Sequence, residues 1–339
     1  MTFDLFSKKP YEKTSPAPRP PPLIFYFRAM QLLTPTHFPD YELIDCGNFE
    51  KLERFGKYVT IRPEPQAVWD PILSQKEWEK KAHVRFVANS SSSGTWKKLK
   101  EMPDRWTIEY PLESQKLKGK SQKSEAESSP APRPSSLPLK FRLSLTSFKH
   151  VGIFPEQACN WDYIAESISS FKTPEPKILN LFAYTGGASL AAKASGADVI
   201  HLDSVKQVVS WARENMELSN LDNIRWVVED ALTFVKREVK RGKKYNGIIL
   251  DPPAYGHGTD GERWKLEDSI NEMMKLVTTL LDDQEHFLIL NTYSLGFSSL
   301  IIENLLSGSK GLNTGELYLQ ATSGHKLPLG VFGRFMKNT

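Results

Sequence analysis

Six consecutive residues, Asp251-Pro252-Pro253-Ala254-Tyr255-Gly256, combine a carboxylate, two prolines and an aromatic ring. A carboxylate can hold an amine or take a proton. Proline fixes φ and carries no N–H, so Pro252-Pro253 predicts a stiff extended turn with free carbonyls. Such a turn holds a planar group beside a reactive centre without reorganising. Three further features precede it: Gly186-Gly187, Asp203 and Asp230. Paired glycines at a strand-to-helix turn let a ligand approach the backbone, and a helix N-terminus offers free N–H groups. Asp203 is placed to take two ribose hydroxyls. Asp230 could accept from an adenine amino group, although an acid in that position also caps the following helix. Taken together, the four features point to a nucleoside-bearing ligand beside a reactive carboxylate.

These residues have to be positioned by strand ends. Residues 177–183 read as a first strand, followed by the turn through Gly187 and an Ala-rich helix to about Ser195. A second strand, 198–202, ends in Asp203, and a helix over 205–218 carries an apolar stripe of Val208, Val209, Ala212 and Met216. Ile224–Val228 precedes Asp230-Ala231, Gly247–Leu250 precedes Asp251, and residues 286–290 run into Asn291-Thr292-Tyr293-Ser294. Late strands are predicted near 316–319 and 331–335. Short apolar runs alternating with amphipathic helices predict an α/β fold, a doubly wound sheet with its ligand across the strand carboxyl ends.

Asn180-Leu-Phe-Ala-Tyr-Thr-Gly-Gly187, Asp203, Asp230 and Asp251-Pro-Pro-Ala-Tyr-Gly256 resemble motifs I to IV of the class I S-adenosylmethionine-dependent methyltransferases. Within them the chain is most similar to the RlmI-like bacterial large-subunit ribosomal RNA methyltransferase family. Gly152-Ile-Phe-Pro-Glu-Gln157 with Asn160-Trp161, Trp264-Lys-Leu-Glu267, Leu327-Pro-Leu-Gly330 and the stretch Asp45 to Gly56 extend the likeness over roughly residues 37 to 336, apart from one insert. The resemblance implies a Rossmann-like sheet with a smaller β-rich N-terminal domain, S-adenosylmethionine as cofactor, large-subunit ribosomal RNA as partner and a cytoplasmic location. It places Ala183, Tyr184, Gly186 and Gly187 against the methionine part of the cofactor. Asp203 and Ser204 would take the ribose, and Asp230 and Ala231 the adenine. Asp251 would face the methionine amine or the acceptor, and Phe154, Pro155 and Glu156 would form a lid. The expected catalytic set is Asp251, Pro252, Pro253 and Tyr255.

One departure bears on mechanism. Enzymes methylating cytosine C5 attack the ring with a cysteine thiolate. The two cysteines here, Cys46 and Cys159, lie after neither the fourth nor the fifth strand. The expectation is therefore direct transfer to a nitrogen or oxygen, driven by in-line positioning and proton removal. Tyr255, Tyr293 and Trp264 are candidates to stack a flipped base. His257 is a weaker general-base candidate beside them. Other acceptors (protein, DNA or a small molecule) remain open, as does a non-catalytic RNA-binding module. A nicotinamide-dependent dehydrogenase is disfavoured, because Gly-x-Gly-x-x-Gly is missing and Asp-Pro-Pro is present.

The chain has 339 residues, a formal net charge of +4 and 40% apolar residues. That suits two modest domains, expected at 37–149 and 150–339, after a low-complexity tail over 1–36. A mildly basic balance permits RNA contact. Lys97, Lys98 and Lys100 between Trp96 and Trp106 could track phosphates and stack bases. The basic run from Lys236 to Lys244 reads instead as a solvated helix end. Ser15-Pro-Ala-Pro-Arg-Pro20 recurs as Ser129-Pro-Ala-Pro-Arg-Pro134 inside a polar tract, about 112–138, read as a disordered surface insertion between two hairpin arms. Two cysteines without ligand spacing predict a reducing compartment and no metal. No apolar run approaches the ~18 residues of a membrane helix.

Overall fold

Gly247–Leu250 is buried along its whole length, and His286–Thr292 is buried at every position but its first. Strands of that kind need cover on both faces, which a parallel sheet flanked by helices supplies. The computed structural model describes residues 30–90, 93–113, 136–293 and 296–338 and shows that arrangement. Five parallel strands stand in the order His286–Thr292, Gly247–Leu250, Lys177–Leu181, Asp198–Asp203, Ile224–Val228. Lys326–Lys337 joins antiparallel to His286–Thr292, and Asn313–Gln320 joins antiparallel beyond it. The winding reverses between Lys177–Leu181 and Gly247–Leu250, where Leu181 and Leu250 sit side by side. That switch point is where ligands enter such sheets.

Two apolar layers cover the sheet. Ile164, Ala165, Ile168, Leu190, Ala191 and Met216 cover one face. Phe234, Val235, Met273, Met274, Val277 and Ile302 cover the other.

The N-terminal part forms a five-stranded sheet in chain order: Tyr41–Gly47, Glu50–Phe55, Tyr58–Pro63, Val84–Ala88 and Gly94–Lys98. Its short helix, Gln75–Lys81, starts with a reciprocal Ser74–Glu77 capping box. A long hairpin, Arg105–Glu113 with Ser136–Ser144, packs directly on the C-terminal half. Phe141 stacks on Trp161 at 5.1 Å between centroids, and Asn215 accepts from the Arg142 amide at 2.8 Å. The loop at Thr322-Ser323 donates two backbone hydrogen bonds to Leu43 and Ile44. The two halves therefore share a core across the boundary expected near residue 150.

Several expectations change. Gln31–Leu33, inside the tail read as low-complexity, is an edge strand parallel to Asn313–Gln320. Trp96 donates to the Thr146 carbonyl and Trp106 is buried, so neither is offered to a base. Lys98 pairs with Asp104. The Lys236–Lys244 run behaves as a solvated helix end, with ion pairs to Glu272, Glu229, Glu238 and Asp283. Both copies of the Ser-Pro-Ala-Pro-Arg-Pro repeat lie outside the described residues. No helix among the described residues is long and apolar enough to cross a membrane.

Candidate active site

The first strand stops at Leu181, two residues earlier than expected, because Phe182 and Tyr184 take left-handed backbone angles, φ 56° and 48°. A non-glycine residue there costs about 1–2 kcal/mol, so the surroundings must hold it. The Ala183 amide donates to the Leu202 carbonyl and the Tyr184 amide to Asp203 Oδ2. Thr185 Oγ1 donates to the Gly152 carbonyl at 2.7 Å, and Asn215 Nδ2 to the Thr185 carbonyl. Gly186, at φ 94°, caps the helix Gly187–Ala194. A Cβ on Gly187 would stand 2.5 Å from Trp161 Cζ2. The glycines thus serve backbone angle at one position and ring packing at the next. Phe154, Asn180, Tyr184, Gly186, Gly187 and Asp251 are among the residues lining a cavity at this turn, as are Ala183 and Gln157.

Asp203 ends the second strand, outside that cavity. Its Oδ2 accepts from the Tyr184 amide and its Oδ1 from the Val205 amide, both at 2.9 Å. Burial raises its pKa against these donors, which pull it down. Each oxygen keeps a second lone pair for a ribose hydroxyl. Ser204 Oγ donates to the His257 carbonyl at 3.0 Å, so it ties down the hairpin Tyr255–His257/Arg263–Lys265. Asp230 follows the capping alternative: its Oδ1 accepts from the Thr233 amide at 2.8 Å. Ala231 is buried behind it. Gly258 lies so close that an added Cβ would stand 3.0 Å from the Asp230 Cβ. The hairpin therefore covers the strand ends that carry Asp203 and Asp230.

Asp251 is held from two sides. Asn291 Nδ2 donates to Oδ1 at 2.9 Å and Gln157 Nε2 to Oδ2 at 3.3 Å, while Asn160 Nδ2 donates to Gln157 Oε1. Withdrawal from bulk water pushes its carboxyl up to about 6, partly offset by the Asn291 bond. Pro252 is buried and Pro253 exposed. The Pro253 carbonyl is not free, since Trp264 Nε1 donates to it at 2.7 Å. Trp264 is 4% exposed and packs on Phe182, so it braces the turn and cannot stack an acceptor. Tyr255 is 57% exposed, with its hydroxyl 3.3 Å from His257 Nε2. Tyr293 donates to Glu64 Oε1 at 2.6 Å.

The segment expected to form a lid divides. Phe154 lines the cavity and packs against Tyr184, with ring centroids 5.2 Å apart. Pro155 and Glu156 are buried but do not line it. Glu156 instead stands near Lys51 and Glu53 of the N-terminal sheet and near Asp251, and burial pushes its carboxyl up to about 7. Around it runs an ionic frame: Arg62 to Glu53 at 2.6 Å, Tyr41 to Glu53 at 2.9 Å and Lys51 to Glu64 at 3.2 Å. Sequence reasoning gave no role to Gln157, Asn160, Asn291 or these four charged residues. The usable signal was Lys51, Glu53 and Phe55 at alternate positions of one strand, which puts charge on an apolar face. Burial raises the thiols of Cys46 and Cys159 to about 12, so neither is a thiolate at neutral pH. Among the described residues, no group of three or more His, Cys, Asp or Glu side chains is placed to hold a metal ion.

Known proteins similar to this chain share its fold. The family model for S-adenosylmethionine-dependent methyltransferases matches residues 135–303. The crystal structure of an S-adenosylmethionine-dependent methyltransferase from Agrobacterium tumefaciens is 33% identical, with a TM-score of 0.77 over 90% of this chain and 93% of that one. A structure described as a candidate methyltransferase complexed with SAH, 16% identical, shares the fold at a TM-score of 0.57 over 84% and 71% of the two chains. The ribosomal RNA large subunit methyltransferase K/L of Shewanella frigidimarina is 29% identical over 156 residues, 45% of this chain and 21% of that protein. A Methanocaldococcus jannaschii protein, also named for methylation of the ribosomal RNA large subunit, is 31% identical over 123 residues, 36% and 30% of the two chains. The chain spans less than a third of the length of these curated relatives.

Proposed function

Since the chain belongs to the S-adenosylmethionine-dependent methyltransferases, we propose that it methylates a base of large-subunit ribosomal RNA in the cytoplasm, by direct transfer without a cysteine adduct. The likeness of 45% and 36% of the chain to two relatives named for the ribosomal RNA large subunit carries the choice of acceptor. Direct transfer is supported by the two raised thiols, neither of which lines the cavity beside Asp251.

The residues present fit the cofactor. Tyr184 to Gly187 offer a closely approachable backbone, and Phe154 and Tyr184 offer aromatic walls. Asp203 offers two free lone pairs, and Asp251 offers a carboxylate held in place for an amine. Asp230, already a helix cap, keeps Oδ2 for an adenine amino group. S-adenosylmethionine supplies a methyl group on a sulfonium centre. The chain's own part is to align the acceptor and to exclude water, with the rigid Asp251-Pro252-Pro253 turn as one wall. That wall is braced by Trp264.

The test compares ribosomal RNA from cells with and without the gene, by mass spectrometry of digested nucleosides. One methylated nucleoside should vanish from the large subunit in the deletion and return with the wild-type gene but not with Asp251→Ala. Identical nucleoside profiles would refute the ribosomal acceptor.

A further inference from the structure

Phe141, Phe154 and Trp161 bring rings to the cavity beside Asp251, and Gln157, Asn160 and Asp251 bring polar groups. Asn160 stands in the first turn of the helix Ala158–Ser170 and is 2% exposed. Among the described residues that line this cavity, it alone has a buried side-chain polar atom without a hydrogen bond, and that atom is Oδ1. The neighbouring bonds fix which end of the amide this is. An ionised carboxylate only accepts, so the NH2 group of Gln157 must face Asp251, as it does at 3.3 Å. Gln157 is then left with Oε1, which needs a donor, and Asn160 supplies its own NH2 at 2.8 Å. The charge on Asp251 therefore sets the direction of two amides in turn, and Asn160 ends the chain with an oxygen that can only accept. Asn291 ends the other arm in the same way, with its NH2 on Asp251 and its Oδ1 unpartnered, but it does not line the cavity. A buried acceptor without a donor is costly, and a leucine of similar size would have filled the same space with nothing to satisfy.

We propose that Asn160 Oδ1 is a second anchor, beside Asp251, for the α-ammonium group of the cofactor, and that Gln157 is the positioning residue that aims it. The assignment rests on the cofactor and not on the acceptor proposed above. S-adenosylmethionine carries three kinds of donor: the adenine amino group, the ribose hydroxyls and the α-ammonium. Asp230 and Asp203, the acceptors assigned to the first two, lie outside this cavity. The ammonium remains, and its three N–H bonds need more than one acceptor. A bond to Asp251 neutralises the charge. A bond to Asn160 meets a second N–H without placing another negative charge next to the carboxylate. A ligand lacking the amino group would leave both acceptors unmet, so the pair selects for the amino-acid end of the cofactor.

Isothermal titration of the full chain with SAH, and with a desamino analogue lacking only the α-amino group, reads this pairing without any methyl acceptor. A failed Asn160 assignment is thereby told apart from a failed ribosomal RNA assay. The readout is the Kd of the analogue divided by the Kd of SAH, a ratio that a general loosening of the fold would leave unchanged. Asn160→Leu should lower the ratio about 10-fold or more, as expected for one lost hydrogen bond to a charged group. The change should lie in SAH binding, with the analogue held within about threefold of its wild-type affinity. Gln157→Leu frees the Asn160 amide to turn and should lower the ratio by less. Asn160→Asp keeps an acceptor and should hold the ratio at or above the wild-type value. A wild-type ratio in folded Asn160→Leu would overturn the anchor, and a wild-type ratio in Gln157→Leu would overturn the positioning role. If Asn160→Leu does not fold, Asn160→Asp decides, and a ratio below that of the wild type would overturn the assignment.

Discussion

Asp203→Asn removes the charge that this fold presents to the cofactor ribose while keeping the side chain's shape. In the wild type each carboxylate oxygen accepts one backbone N–H at 2.9 Å and has one lone pair left. Asparagine turns one oxygen into an NH2 group, so on that side both the backbone donor and a ribose hydroxyl lose their acceptor. On the other side a charge-assisted bond becomes a neutral one. Hydrogen bonds to charged groups contribute about 1.5–3 kcal/mol and neutral ones about 0.5–1.5. Losing one and weakening the other comes to about 3–4 kcal/mol, or roughly 100- to 1,000-fold in Kd at ~1.4 kcal/mol per decade. Isothermal titration with SAH measures this directly, with circular dichroism to show that the variant is folded. An analogue lacking the 2′-hydroxyl should lose affinity for the wild type and much less for Asp203→Asn. A folded variant binding SAH within threefold of wild type would refute the ribose assignment, as would equal losses for the analogue in both proteins.

Asp251→Asn should weaken SAH binding at neutral pH by about 10-fold or more through loss of one charged hydrogen bond. Wild-type affinity should fall as pH drops through about 6, where Asp251 protonates, and the variant's should stay flat across that range in the same titrations. Gly187→Ala drives a Cβ onto Trp161, which is buried and stacked on Phe141, so it should cost about 1–3 kcal/mol and lower the thermal midpoint by several degrees. Cys159→Ser should keep turnover within about twofold of wild type, because its thiol is raised to about 12; a 100-fold loss in the transfer assay would contradict direct transfer. The folded Glu156 carboxyl is raised from 4.5 to about 7, so the native state binds this proton more tightly than the unfolded chain. Wild-type stability should therefore decline as pH rises from about 4.5 to 7, by about 3 kcal/mol in full. Chemical denaturation should accordingly show Glu156→Gln gaining stability relative to wild type at pH 8 and little at pH 5.

Ile224–Val228 and Gly247–Leu250 were legible to the residue, because each is a short apolar run bounded by polar or glycine positions. The strand-end features at Gly186, Asp203 and Asp251 were legible for the same reason: the sheet's topology puts strand carboxyl ends in one place. What was hidden depends on long-range pairing. Gln31–Leu33 is a three-residue strand whose register comes from Gly315 to Leu317, nearly the whole chain away. The early end of the first strand reflects left-handed angles at Phe182 and Tyr184, held by donors and acceptors from three other segments. Trp264 looked like a stacking residue because an aromatic after Asp-Pro-Pro serves equally to brace the turn, and only the 2.7 Å bond to Pro253 separates the two roles. Glu156 was expected above the cofactor. Burial takes it out of the cavity and near Lys51 and Glu53, whose place on one strand face with Phe55 was the only sign in the sequence that these charges are buried.

The most direct test of the central claim is transfer of labelled methyl from S-adenosylmethionine by the purified chain to large-subunit ribosomal RNA from cells lacking the gene. The account predicts label in that RNA, in one nucleotide and on nitrogen or oxygen, with none transferred by Asp251→Ala. Label confined to protein or DNA, or no transfer by a protein that binds SAH, would contradict it.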